Sequence, residues 1–231
     1  MLTGPQPIRA VLFDFHSTLI DQGSSEDWIE VANRRLAGAG RSALVPASLA
    51  TFLDHVWERA RVVDPAGDRD RSAAGHRAVF ARLLADVPGV ADEMVDALYA
   101  TLTSGWRAYA EVPQVLRDLR AFHVRIAVVS NTGFDIRPVL EAQGLLHLLD
   151  AVVLSLEVGH VKPDPVIFRA ALDAIRAVPE STLMVGDSPH DDNGAADLGI
   201  RTLILPRTSG AEHGLQQVTA LVASSSRPVS T

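Results

Sequence analysis

The chain has 231 residues, 47% of them hydrophobic, enough for a substantial core in one large domain or two small ones. Its formal net charge of -7 gives no basic footprint for nucleic acid or an anionic membrane, so an anionic small molecule would need a local positive site. Without cysteine there are no disulfides, thiolate nucleophiles or cysteine-based zinc sites, and any metal must be held by oxygen or imidazole.

The opening segment MLTGPQPIRAVLFDF has a single early cation and a short apolar run, which suits a buried strand better than a secretory leader. No stretch approaches the roughly 18 apolar residues of a spanning helix, and a cytoplasmic protein is expected. A strand buried on both faces is predicted over residues 8–15. Residues 22–106 then show no clear strand. Amphipathic helices are predicted there at 27–36, 47–61, 76–84 and 91–104, with 63–75, rich in Asp, Arg and Gly, as a loop. Beyond this insertion, helical patterns at 112–122, 136–143, 165–177 and 192–198 alternate with apolar runs at 124–131, 151–155, 183–187 and 202–206. Asp164 followed by Pro165 is a good helix start. Alternation of this kind predicts right-handed crossovers and an α/β, Rossmann-like parallel sheet. The expected division is a core of 1–21 and 107–231 with an all-helical subdomain at 22–106. Residues 223–231, with a serine cluster and no apolar period, read as a frayed tail. No internal repeat is found.

Ligands of an open parallel sheet collect at the carboxyl ends of its strands. The polar residues of this chain fall there: Asp14 with His16 and Thr18, Ser130 with Asn131, Lys162, and Asp187 with Asp191. Carboxylates converging in one crevice repel unless a cation intervenes, which makes a hard, oxygen-preferring ion such as Mg²⁺ the expected resident. Lys162 is the single lysine of a chain whose other cationic side chains are arginines. It is either a point charge for phosphate or a lysine left on a solvated loop.

The segments VLFDFHSTLID, VVSNTG, VKPDPVIF and VGDSPHDDNGA resemble, in order and spacing, the four motifs of the haloacid dehalogenase (HAD) superfamily, and the 22–106 insertion resembles its helical cap. That resemblance implies a Mg²⁺-dependent phosphohydrolase working through an aspartyl phosphate, with Asp14 as nucleophile and Thr18 and Ser130 fixing the loop and binding a phosphoryl oxygen respectively. Asn131 joins them on the phosphate side. Lys162 would pair with Asp14 and the phosphoryl group. Asp187 would bind Mg²⁺ beside the Asp14 carboxylate and the His16 backbone carbonyl. Asp191, at the family spacing to Gly194 and Gly199, would support the metal's water shell or orient Lys162, leaving Asp192 to face solvent.

One position departs from the family pattern. Phosphatases of the superfamily usually carry a second aspartate two residues after the nucleophile, and here His16 stands in that place. Imidazole can perform the same proton transfers near neutral pH. A dehalogenase is the alternative, although that branch resembles a pattern lacking the Gly–Asp of the fourth motif. A phosphonatase would need a cap lysine, which this chain lacks, and a phosphate-binding module without turnover is a further alternative. His76, Arg69, Arg71, Arg77, Trp28 and Trp106 are candidates for reading the substrate, His76 foremost. The expected partner is a small phosphorylated metabolite, with the protein a monomer or homodimer.

Overall fold

The computed structural model describes residues 6–207 and 212–226. Five parallel strands form the main sheet: β1 (Ala10–Phe13), β2 (Arg125–Ser130), β3 (Ala151–Leu154), β4 (Thr182–Gly186) and β5 (Arg201–Ile204), in the spatial order β3-β2-β1-β4-β5. Every residue of β1 is buried, as expected of a central strand covered on both faces. Its register pairs Phe13 with Val128 on one side and with Val185 on the other. The chain turns outward to β2 and β3, then returns to lay β4 and β5 on the opposite side of β1. The carboxyl ends of β1, β2 and β4 therefore flank the topological switch point, where such sheets bind ligands.

One face of the sheet is closed by Pro165–Ala174, whose Ile167, Phe168, Ala171 and Leu172 pack against Ala10, Leu12, Ala127 and Val129. Asp164 caps this helix, its Oδ1 accepting from the Val166 amide at 2.9 Å, and Pro165 occupies the first turn, where no amide donor is needed. The two-residue strands Ile20–Asp21 and Arg107–Ala108 form a separate two-stranded sheet.

The chain divides into two compact units, with Gln22–Arg107 and Thr132–Phe134 forming the second. That unit is helical: Ser25–Gly38, Leu49–Leu53, Val56–Val63, Ala73–Ala85 and Asp92–Ala100 surround a core that includes Ile29, Leu53, Phe80, Leu84, Met94 and Leu98. Ser24 starts the first of these, accepting from the Asp27 amide at 3.1 Å. The single helix predicted at 47–61 is two, because the backbone tightens at Asp54 and His55. The predicted loop at 63–75 holds a 3-10 turn, Asp68–Arg71, fastened by the Asp64 carboxylate to the amides of Asp68 and Arg69. No helix among the described residues is long and apolar enough to cross a membrane.

The expected frayed tail needs correction over its first part. A helix spans Gln216–Ser225, and Ser225 Oγ accepts from the Ile8 amide at 2.9 Å, while residues 227–231 lie outside the described residues. The approach to this helix is pinned by buried Glu111, whose Oε1 accepts from the amides of His213, Gly214 and Leu215 at 2.5, 2.8 and 3.3 Å. Burial acts to raise the Glu111 pKa, but the backbone donors outweigh it and hold the carboxyl below its usual range. Glu111→Ala is expected to lower unfolding free energy by about 1–3 kcal/mol at neutral pH, measured by urea denaturation. A depressed folded pKa contributes stability above the ordinary carboxylate range that is lost as pH falls through the folded value, so the deficit should shrink on acidification.

Candidate active site

Asp14 follows β1, and its amide donates to Val185 O at 2.8 Å, which continues the β1–β4 ladder and fixes the residue at the strand end. The chain then folds back tightly. Leu19 and Ile20 both donate to Phe15 O, at 3.0 and 3.1 Å, and Ser17 takes a left-handed φ of 56°. This loop buries Thr18, whose Oγ1 donates to Asp14 Oδ2 at 3.4 Å. His16 is partly exposed and meets the Phe15 ring edge-on.

Lys162 is held at both ends. Its amide donates to Asn131 Oδ1 at 2.7 Å, and Asn131 Nδ2 donates back to Lys162 O at 3.0 Å. Its Nζ lies 2.6 Å from Asp14 Oδ1 and 2.6 Å from Asp192 Oδ1, with the residue 3% exposed. The reading of Lys162 as a solvated loop residue is thereby excluded. Asn131, expected on the phosphate side, has its amide committed to the Lys162 backbone and so positions that lysine. Ser130 is fully buried at the end of β2, and its Oγ has no hydrogen-bond partner among the described residues. A buried hydroxyl left so costs about 1–3 kcal/mol, which an incoming acceptor would offset.

The fourth motif requires a correction. Asp192, expected to face solvent, is 0% exposed, with Oδ1 on Lys162 and Oδ2 accepting from the Ser188 amide at 2.9 Å. Asp191 sits at the rim with its side chain 15% exposed, its carboxylate accepting from Ser188 Oγ at 3.0 Å and lying 2.9 Å from His190 Nδ1. Gly186 makes the arrangement possible: a Cβ there would lie 2.0 Å from Asp192 Oδ2, so no side chain fits. Asp187, at the end of β4, is buried, and its Oδ2 accepts from Arg207 Nε, a residue without a sequence signal.

One oxygen from each of Asp14, Asp187 and Asp192 lies within 4.8 Å of the other two, an oxygen-only set of the kind that hard divalent cations take. Burial pushes the Asp14 carboxyl above the usual carboxylate range; Lys162 pulls it down, and Asp192 and Asp187 push it up again. Burial alone would lower the Lys162 ammonium, but Asp14 and Asp192 outweigh it and hold it above its ordinary value. The crevice thus gathers three carboxyl groups around a cation of its own, with Asp14 touching that cation.

The side chains expected to read substrate are engaged within the helical unit. His76 is buried among Trp57, Tyr99 and Phe134, with Nδ1 3.1 Å from the Tyr99 hydroxyl. Burial, reinforced by Arg69, pushes its pKa down to about 4, so it is neutral at pH 7 and offers no charge to an anion. Arg69 pairs with Asp64 and Asp70, and Arg71 pairs with Asp68. The Arg77 guanidinium lies 2.7 Å from Asp96 and over the Tyr99 ring. Trp28 donates to Leu98 O, and Trp106 is buried. Arg77 alone of these six lines a cavity of about 430 Å³ in this unit, with Tyr99, Leu102, Thr103 and Phe134.

The sequence pattern of the family described as "haloacid dehalogenase-like hydrolase" matches residues 8–199. Among curated proteins, the chain is 29% identical to the phosphoglycolate phosphatase of Nitrosospira multiformis, over 87% of this chain and 85% of that one. It is 30% identical to a plasmid-encoded phosphoglycolate phosphatase of Cupriavidus necator, over 87% and 81%. Among solved structures, a 2-haloacid dehalogenase from Pseudomonas syringae superposes with a TM-score of 0.63 at 27% identity, covering 94% of this chain and 99% of that one.

Proposed function

The chain belongs to the haloacid dehalogenase-like hydrolase family, and from that membership we propose that it is a Mg²⁺-dependent phosphohydrolase acting on a small phosphorylated metabolite through a phosphoryl group carried on Asp14. The observation that supports this reading most is Asp14 at the end of β1, hydrogen-bonded to Lys162 inside a trio of buried carboxylates. The phosphoglycolate phosphatases matched over most of their length favour phosphate ester hydrolysis.

Asp14 attacks phosphorus while the bond to the ester oxygen breaks, and the departing oxygen takes a proton from His16. Water then attacks the same phosphorus, His16 receives its proton, and the bond to Asp14 breaks to release inorganic phosphate. Lys162 neutralises charge that develops on the phosphoryl oxygens, and the Ser130 hydroxyl donates to one of them. Thr18 steadies Asp14, and Asn131 sets the height of Lys162. The oxygens of Asp14, Asp187 and Asp192 fit Mg²⁺, with the His16 carbonyl as a further donor and Asp191 supporting its water; bound there, the ion supplies charge neutralisation to the phosphoryl group. The helical unit serves as the cap that selects the substrate.

The test is phosphate release from a panel of phosphomonoesters that includes 2-phosphoglycolate, sugar phosphates and nucleotides, with Mg²⁺ present. The similarity to the Pseudomonas dehalogenase favours a second reading, hydrolysis of a carbon–halogen bond through the same aspartate. Halide release from 2-chloropropionate without phosphate release from any ester would establish it in place of the first.

His16→Ala is expected to lower kcat by roughly 10²–10⁴-fold on alkyl phosphates, the usual worth of a positioned acid/base. The loss should be smaller on nitrophenyl phosphate, whose leaving group needs little protonation. Equal losses on both would assign His16 to shaping the loop. His16→Asp is the companion variant, expected to retain activity if the position accepts a carboxylate.

A further inference from the structure

Each of the three clustered carboxylates has a cationic partner, but the partners differ in kind. Lys162 serves Asp14 and Asp192 and is fixed by its backbone clamp and its burial. Asp187 is served by Arg207, which follows β5; the Asp187 side chain is 4% exposed and that of Arg207 is 54% exposed. This is not a surface pair, because the anion is buried while the cation reaches in from solvent on a long flexible arm. An ion taking either oxygen of Asp187 would place a second positive charge beside the Arg207 guanidinium, whose half-exposed arm has solvent to withdraw into. A buried carboxylate without a counter-charge is costly, so something must hold that charge whenever no metal does.

Resting on the metal site proposed above, we infer that Arg207 is a displaceable counter-ion that competes with the divalent cation for Asp187. In the ion-free protein it neutralises Asp187; when the ion binds, the guanidinium swings out toward solvent. Arg207 thereby weakens apparent metal affinity and stabilises the metal-free state. Two sites coupled through one carboxylate must antagonise each other reciprocally.

The test is titration of the full chain with Mn²⁺ alone, by calorimetry or by the electron paramagnetic resonance signal of the free ion. Arg207→Gln is expected to bind Mn²⁺ roughly 3–10-fold more tightly than wild type, the range of a half-exposed ion pair expressed as an affinity ratio. Arg207→Lys, which keeps the charge but loses the planar fork, should fall between the two. The melting temperature of Arg207→Gln should be lower than that of wild type without metal and should match it in saturating Mn²⁺. A purely structural role for Arg207 would lower both, which overturns the inference, as does an unchanged or weaker Mn²⁺ affinity in a folded variant. Binding by both proteins with equal affinity would sink this inference alone. Absence of Mn²⁺ binding in wild type and variant would sink the metal reading and this inference with it.

Discussion

Asp14→Asn is expected to reduce phosphate release by on the order of 10⁴-fold or more while leaving the fold intact. The amide is nearly isosteric: its oxygen can still accept from Lys162 Nζ, which lies 2.6 Å from Asp14 Oδ1, and its nitrogen then stands in the place of Oδ2, 3.4 Å from the Thr18 hydroxyl, which can accept as well as donate. What it lacks is an anionic oxygen to attack phosphorus. Stability should respond in the opposite direction. In the ion-free protein, burial holds the Asp14 carboxyl above its ordinary range despite Lys162, so its charged form is disfavoured by folding. A carboxyl raised in this way costs stability as pH rises from its unfolded value toward its folded one. The variant, which never ionises there, should melt at or above the wild-type temperature without metal, and its advantage should grow from acid to neutral pH. Thermal denaturation beside a phosphate assay checks both parts, and a folded variant that keeps most of its activity would remove Asp14 from the mechanism.

Metal removal is expected to have the second large effect. Chelation should lower turnover by on the order of 10³-fold or more, and added Mg²⁺ should restore it. The reason is electrostatic: Asp14, Asp187 and Asp192 converge within 4.8 Å, the one buried ammonium is divided between two of them, and a phosphate ester brings further negative charge. A second readout is independent of catalysis. An ion that binds only the folded chain should stabilise it by about 2.7 kcal/mol at roughly 100 times its dissociation constant, visible as a rise in melting temperature. Full activity after verified metal removal would contradict the mechanism and favour the halide-releasing reading.

The sheet was legible because central parallel strands must be apolar on both faces, and runs such as AVLF and TLMVG are short, nearly all apolar and separated by helical patterns. That Asp14, Lys162 and Asp187 gather in one place was legible because the strand ends say where a ligand sits. The acidic pair Asp191 and Asp192 was not, since spacing alone cannot rank neighbours. The winding decided between them: Asp192 N donates to Ser188 O at 2.9 Å, and the 3-10 turn Asp192–Leu198 with bare Gly186 turns Asp192 inward. Arg207 carried no signal, being one arginine among many, and its partner is set by the return of β5 beside β4. His76 was placed on a helix by periodicity, but periodicity does not say that its own unit would bury the ring.

The placement of Lys162 also has a bearing on chemical labelling. The chain offers amine-directed reagents a single side-chain target, and that amine is 3% exposed, flanked by two carboxylates and held in its protonated, non-nucleophilic form. Acylation at residue 162 therefore requires the crevice to come apart first. The extent of labelling counts openings of this one place in the molecule, with no other lysine to blur the record.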